Sequence, residues 1–280
     1  MKNYITVLSI AGSDGSGGAG IQADLKTIAA AGCYGLSVIT SVTAQNTEGI
    51  AGTFDLPASF VKEQFLTLAK DIGFNAVKIG MLATENTVQA VADLLIPLQG
   101  IPVVLDTVLS SSGARPLLTQ RAVPAFKTRL FPLATLVTPN IPEAAVLAGL
   151  ERLPETREEI EATAGKLQRQ GAASVLVKGG HLQGRQCSDC LLHEGRFFWF
   201  SNARIDTFNS HGTGCTLASA IASRLARGDD MVTAVECGIA YTRMALQAGA
   251  AWKLGNGCGP LHHFPGIISP LSANDRWSSR

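Results

Sequence analysis

Charge is scarce in this chain of 280 residues: Asp, Glu, Lys and Arg together make up 16%. The 23 basic and 22 acidic side chains leave a net charge of +1, with no long block of one sign. No basic patch of the kind that nucleic-acid binders show is visible. No run approaches the ~18 consecutive apolar residues of a membrane span. Walker A, H-E-x-x-H and G-x-S-x-G sequences are all missing, which removes support for P-loop, zincin and α/β-hydrolase chemistry. Low charge does not mean disorder here. The hydrophobic fraction is 46% and the mean hydropathy +0.20, far from the charged, apolar-poor composition of unfolded chains.

A chain of this length buries a sizeable core without disulfide or metal staples. The six cysteines (33, 187, 190, 215, 237 and 258) are therefore read as thiols in a reducing, cytoplasmic compartment. Residues 2–12 faintly resemble a signal peptide, but cleavage there would remove a glycine loop with the look of a functional one; a buried first strand is the better reading.

What the chain has in excess is glycine, 29 residues, with short apolar runs alternating with amphipathic stretches. Strands are expected over 5–10, 36–42, 76–79, 103–105, 135–137 and 174–177, with a hairpin over 191–200. Helices are expected over 19–31, 57–70, 85–95, 120–130, 142–148, 157–170, 212–227 and 232–251. Phe60, Phe65 and Leu68 mark the apolar side of the second helix, and Pro124 should kink the fourth or delay its start. Apolar strands without alternation, separated by helices, argue for one α/β domain with a mainly parallel sheet covered on both faces.

Ligands in such sheets bind beyond the carboxyl ends of the strands. The unusual glycines and polar residues fall in those segments: 12–20, 43–47, 80–82, 106–113, 138–143, 178–181 and 209–215. Gly15 to Gly20 fits G-x-G-x-x-G, yet no acidic residue closes the second strand as a dinucleotide site requires. A tight turn for a different ligand is favoured. Cys187 and Cys190 have redox or half-zinc spacing, but no second ligand pair exists and a strand, not a helix, follows. His262 and His263 are read as packing or surface residues.

The strongest feature is Asn209-Ser210-His211-Gly212-Thr213-Gly214-Cys215-Thr216. Backbone N–H groups converging at a helix start make a site for a phosphate or for charge on a transferring phosphoryl group. The same field should favour the Cys215 thiolate. A Cys–His dyad of Cys215 with His211 is a rival reading that lacks an evident orienting residue.

Taken in order, Ala11-Gly12-Ser13-Asp14, Ser16 to Asp24, Thr43-Ala44-Gln45-Asn46-Thr47, Lys78-Ile79-Gly80-Met81-Leu82, Thr138 to Glu143, Lys178-Gly179-Gly180-His181, His211 to Thr216 and Gly259 to Phe264 resemble the hydroxymethylpyrimidine/phosphomethylpyrimidine kinases, a thiamine-pathway branch of the ribokinase superfamily. The resemblance covers about residues 4–264. It implies a ribokinase-like three-layer α/β/α sandwich over residues 1–264, with 265–280 a tail of unknown role, and usually a homodimer. It also implies phosphorylation of 4-amino-5-hydroxymethyl-2-methylpyrimidine by ATP with Mg²⁺, then of the monophosphate to the diphosphate.

By the same resemblance Cys215 takes the place of the usual superfamily base, beside the Gly212, Thr213 and Gly214 amides. Gln45 and the Thr43 backbone read the pyrimidine edge; Asp24 lies beside the substrate; Gly12, Met81 and Val108 line its pocket. Asn140 and Glu143 organise Mg²⁺ through water, and Asp106 and Lys178 lie near the ATP phosphates. The alternatives are a pyridoxal or pyridoxine kinase of the same superfamily and a pyrimidine-binding regulatory module without catalysis. Departures from the family pattern are Gly15, Ser210, and a 110–114 loop without its common Lys and Asp.

Overall fold

The computed structural model describes residues 2–110, 117–180 and 185–265. His181, the 111–114 part of the 110–114 loop and the tail from 266 onward lie outside them. Nine strands form one sheet: β1 (Thr6–Asp14), β2 (Tyr34–Asn46), β3 (Gly49–Asp55), β4 (Ala76–Ile79), β5 (Val103–Leu105), β6 (Leu136–Val137), β7 (Val175–Val177), β8 (Gln186–His193) and β9 (Arg196–Ala203). Their order is β3-β2-β1-β4-β5-β6-β7-β8-β9. The six strands from β2 to β7 run parallel, and β3, β8 and β9 are antiparallel to their neighbours.

Successive strand residues face opposite sides of the sheet, and both sides are apolar. Leu8, Ile10, Val77, Ile79, Val103 and Leu105 enter one core. Val7, Ala76, Val104, Leu136 and Leu176 enter the other. The first core is closed by α2 (Ala58–Asp71), α3 (Glu85–Leu95), α5 (Ile141–Ala148) and α6 (Arg157–Arg169), and the second by α1 (Gly20–Ala30), α7 (Thr213–Ala226) and α8 (Met231–Gly249). The result is the expected three-layer α/β/α sandwich. Among the described residues no helix is long and apolar enough to cross a membrane.

Several local expectations need correction. The segment 120–133 is not one helix but a 3₁₀ turn, a single α turn α4 (Val123–Ala125), a π turn and a second 3₁₀ turn. Pro124 and Pro132 each remove an amide from the helical ladder there. Phe60 is 47% exposed, and Val61 is buried beside Phe65 in its stead. Strand β3 was not expected, because its solvent-facing GIAGTFD sequence carries two glycines and no buried stripe. The hairpin strands begin earlier than the apolar pattern does, so Cys187 and Cys190 both lie within β8. Three residues apart on a strand, they point to opposite faces, and both are free thiols.

The segment after α8 folds back over α7. The Tyr241 hydroxyl donates to the His263 carbonyl at 2.6 Å, and the His263 Nε2 lies 3.1 Å from the Thr216 hydroxyl. Burial, with Lys26 and His262 nearby, pushes the His263 imidazole from the ordinary 6.5 down to about 4. The unfolded chain therefore binds this proton more readily than the folded one. The stability His263 confers is complete above its unfolded pKa and is lost as pH falls through the folded value. Denaturation free energy measured from pH 7.5 to 4 should fall about 3 kcal/mol further in the natural chain than in His263→Phe. Equal pH slopes in the two proteins would show that this imidazole titrates freely.

Candidate active site

Strand β1 carries its ladder as far as Asp14, and the turn that follows is tied to this one carboxylate. Asp14 Oδ1 accepts from the Ser16 amide and hydroxyl at 2.9 and 2.7 Å, and Oδ2 from the Ala19 amide at 2.8 Å. His211 Nε2 lies 2.8 Å from the same Oδ2. Burial works against the Asp14 charge, but these bonds outweigh it and hold the carboxyl at about 2. The glycine motif is thus a turn closed on an aspartate, as its missing acidic partner suggested.

Next to it, Thr43 stands in register with Asp14 across β1 and β2. Its hydroxyl donates to the Ser13 carbonyl at 2.9 Å and lies 3.1 Å from Gln45 Oε1. The Gln45 amide nitrogen is 3.2 Å from His211 Nε2. His211 therefore bridges Gln45 and Asp14, and among the described residues no hydrogen bond joins it to Cys215. Gly12, Thr43, Gln45, Met81 and Val108 line one end of a cavity of about 820 Å³.

The other end is built on charge. Lys178 Nζ pairs with Asp106 Oδ1 at 2.8 Å, and Thr138 donates to the same oxygen at 3.2 Å. Burial opposes both charges, yet the pairing drives Lys178 up and Asp106 down. Asn140 and Glu143 form a capping box on α5: Asn140 Oδ1 accepts from the Glu143 amide and Glu143 Oε2 from the Asn140 amide. Glu143 also accepts from the Thr107 hydroxyl at 2.8 Å and the Leu109 amide at 3.3 Å. The N-x-x-E spacing is therefore first a helix start, one that presents a fixed carboxylate to the cavity.

At the centre stands the start of α7. Its N-cap, Gly212, has φ +85°, and no side chain caps the helix. A Cβ at Gly212 would overlap the Gly18 carbonyl oxygen, so the two glycine loops interlock. Gly212, Thr213, Gly214 and Cys215 all line the cavity. The Thr213 amide donates to the Ser210 carbonyl at 3.3 Å, and the leading amides and helix dipole give this end a partial positive charge.

Two expectations fail here. Cys215 is not a lowered thiol: burial pushes it up to about 11, Lys78 and the Gly20 amide pull it down, and Asp24 and Asp106 push it further up. The helix field is outweighed by desolvation and by two carboxylates. Asp24 does not line the cavity. It is fully buried one layer below, bonded to Ser9 at 2.5 Å, to Lys78 Nζ at 2.9 and 2.8 Å and to Ser219 at 2.8 Å.

Four contributors escaped the sequence reading. Lys78 borders the cavity floor at 0% exposure; a lysine inside the apolar strand AVKI was the available signal. Asp14 lay in the quoted motif without a role. Asp189 lines the cavity and accepts from the Gly179 amide at 2.8 Å, behind the disguise of a cysteine pair. Helix α8 adds Ile239, Thr242, Arg243 and Leu246, an i, i+3, i+4, i+7 stripe with polar members. No group of three His, Cys, Asp or Glu suited to a metal occurs among the described residues.

With the site defined, its likenesses can be read. The family model for phosphomethylpyrimidine kinase matches residues 14–262. The hydroxymethylpyrimidine/phosphomethylpyrimidine kinase of Rhizobium meliloti is 44% identical over 257 residues, 92% of this chain and 96% of that protein. The crystal structure of phosphomethylpyrimidine kinase from Clostridium difficile superposes with a TM-score of 0.76 at 38% identity, covering 86% of this chain and 98% of that one. An ADP complex of Bacillus subtilis pyridoxal kinase gives 0.86 at 32% identity, covering 93% and 98%. Shape alone favours the second structure; sequence favours the first.

The interlocked loops make Gly212 a sensitive position. Gly212→Ala should cost on the order of 1–3 kcal/mol from its backbone angle alone, read as an earlier denaturation midpoint, with weakened nucleotide binding. Gly15→Ala, whose Cβ would meet nothing within 4 Å, should stay within about 0.5 kcal/mol of the natural chain. Equal effects at both positions would refute the interlock.

Proposed function

Because the chain belongs to the phosphomethylpyrimidine kinase family, we propose that its cavity holds an aminopyrimidine at the Gln45–Met81 end and the phosphates of ATP at the Lys178–Gly212 end. The activity is ATP-dependent phosphorylation of 4-amino-5-hydroxymethyl-2-methylpyrimidine and then of its monophosphate, in thiamine biosynthesis. One observation carries the assignment of ends: Thr43 and Gln45 hydrogen-bond each other and Met81 packs on Gly12, whereas Lys178 pairs with Asp106 against Gly214 at the start of α7.

An aminopyrimidine offers a donor beside an acceptor, which the Gln45 amide matches with its own two groups. Met81 gives a flat ring adaptable contact. Phosphoryl transfer asks mainly for positioning and charge stabilisation, supplied by Lys178 and the Gly212, Gly214 and Cys215 amides, with Thr213 tied to the Ser210 carbonyl to hold the loop. Asp106 keeps Lys178 charged and aimed. Mg²⁺, when bound, offsets phosphate charge; it commonly uses one or two carboxylates together with waters and substrate oxygens, so Glu143, set by Asn140, fits it through water. Arg243 adds a cation on the α8 wall.

Cys215 stands between the two ends, and its thiolate takes the proton of the attacking hydroxymethyl group. With the thiol held at about 11, the thiolate is a minor species at neutral pH. A loose transition state demands little of the base, because bond breaking to ADP runs ahead of attack. A homodimer in the cytoplasm completes the reading. The exposed Phe54 on edge strand β3 and six free thiols agree with it. Residues 1–264 act as one kinase domain, with 265–280 outside it.

Pyridoxal kinase is the nearest other reading. The intact Thr43-Ala44-Gln45-Asn46-Thr47 segment and the higher identity to pyrimidine kinases weigh against it.

Both phosphorylations, followed separately by ADP release, test the role of Cys215. Cys215→Ala should lower kcat for the hydroxymethyl substrate by roughly 10²–10⁴ and spare the second step, whose attacking phosphate oxygen is already ionised. In the natural chain the first step should also accelerate with pH, up to about tenfold per unit below the thiol's value, and the second should not. Equal losses in the two steps would assign Cys215 to positioning instead.

For Gln45, substitution by Ala leaves paired groups unmet at a cost on the order of 1–3 kcal/mol. The pyrimidine KM should rise accordingly while ATP affinity holds. An unaltered pyrimidine KM would make Gln45 structural.

A further inference from the structure

At and beneath the cavity floor lies a buried polar cluster. Lys78 on β4 and Asp24 on α1 form an ion pair with both side chains at 0% exposure. Ser9 of β1 and Ser219 of α7 each donate a hydroxyl to Asp24. Burying such a pair is costly, and an apolar pair of similar size would fill the same volume, so its presence calls for a use.

Its location supplies one. Helices α1 and α7 lie side by side with matching spacing. The Gly20 amide faces the Cys215 sulfur, and four residues on in each helix, Asp24 meets Ser219 at 2.8 Å. Residues four apart share a helix face, so Cys215 and the Asp24 pair occupy one seam, a single turn apart. Lys78 joins that seam through Asp24 and borders the same cavity as Cys215. Two of its three N–H groups go to Asp24. Among the described residues the third has no hydrogen-bond acceptor.

We propose that Lys78 and Asp24 are positioning residues of opposite sign, which together govern how readily Cys215 ionises. This rests on the reading of Cys215 as the proton acceptor for its purpose, but not for its test. The charges facing the sulfur come from four elements: Lys78 from β4, Asp24 from α1, Asp106 from the end of β5 and Lys178 from the end of β7. Asp106 and Lys178 neutralise each other at 2.8 Å. The lower pair does the same, with the ammonium held above its ordinary range by Asp24 despite burial. Lys78 stabilises a thiolate and Asp24 opposes it; with Asp24 made neutral, the Cys215 thiolate is left as the counter-charge of the lysine. Removing either member unbalances the site in a direction fixed by the charge left behind.

The test reads Cys215 itself rather than turnover. Iodoacetamide labelling of the intact chain, resolved by peptide mass at Cys215 and followed against pH, reports its thiolate. Lys78→Met, Asp24→Asn and the double variant are compared with the natural chain. At a fixed pH near 8.5 the rate should follow the order Asp24→Asn, then the double variant, then Lys78→Met. For a one-unit shift each single variant should differ from the natural chain about three- to fourfold, because a less basic thiolate is also a weaker nucleophile.

The double variant leaves no unpaired buried charge. Should Lys78→Met not fold, the rates of Asp24→Asn and of the double variant still decide. Asp24→Asn reacting faster than the double variant supports the proposal. Lys78→Met reacting as fast as Asp24→Asn, or Asp24→Asn no faster than the double variant, overturns it. Loss of kcat in both half-reactions with Cys215 labelling unchanged overturns it too, and assigns the pair to folding. If the order of labelling holds while Cys215→Ala slows both half-reactions equally, the proton-acceptor role falls and the control of the thiol stands.

Discussion

A lysine and an aspartate, neither reached by water, face each other where β4, α1 and α7 meet, and much of the site depends on that pair staying intact. Removing one partner of such a pair leaves an uncompensated buried charge, at a cost of about 3–5 kcal/mol. The pair therefore fixes how α1 and α7 sit on the sheet. Helix α1 begins at Gly20 and α7 begins just past Gly212, so the pair also sets the spacing of the two glycine loops between which substrate must fit. The Asp24 carboxylate works less as a ligand than as an anchor for both helix starts.

The same pattern recurs along the cavity. Asp14 holds His211, Asp106 holds Lys178, and Asp24 holds Lys78. Each basic group is kept in place by a buried carboxylate, and each carboxylate is further satisfied by hydroxyl or amide donors. Lys178, held in this way, needs no rearrangement to meet an anionic phosphate. Pre-organised charge of this kind is the largest resource available to phosphoryl transfer. The Asn140–Glu143 box follows the same economy, since one pair of contacts starts α5 and also fixes a carboxylate toward the cavity.

Much of this was legible in the chain. The bounds of β4, α3 and β5 coincide with the apolar runs at 76–79, 85–95 and 103–105, because short buried strands and an amphipathic helix are local patterns. The cavity residues Gly12, Thr43, Gln45, Met81, Val108, Asp106, Asn140, Glu143, Lys178 and 212–215 lie in segments singled out as strand ends, since a parallel sheet gathers those ends on one edge; Gly12, Thr43 and Gln45 sit in the last residues of β1 and β2, which run on past their apolar stretches. Strand β3 escaped because solvent-facing residues on an edge strand carry no alternation. Phe60 misled because apolar spacing on α2 admits either of two neighbouring positions.

Sequence by itself determined the layers, the turns and the order of the motifs, all of which follow from backbone requirements and from periodicity within a few residues. Tertiary structure alone decided which charges meet. Asp24 passed below the cavity instead of into it because Lys78, 54 residues away, draws its carboxylate to β4. Cys215 became a high-pKa thiol because Asp24 and Asp106 converge on a desolvated sulfur whose local helix start argued for the opposite. A proton affinity is a sum over every charge within several ångströms, and no stretch of neighbouring residues contains that sum.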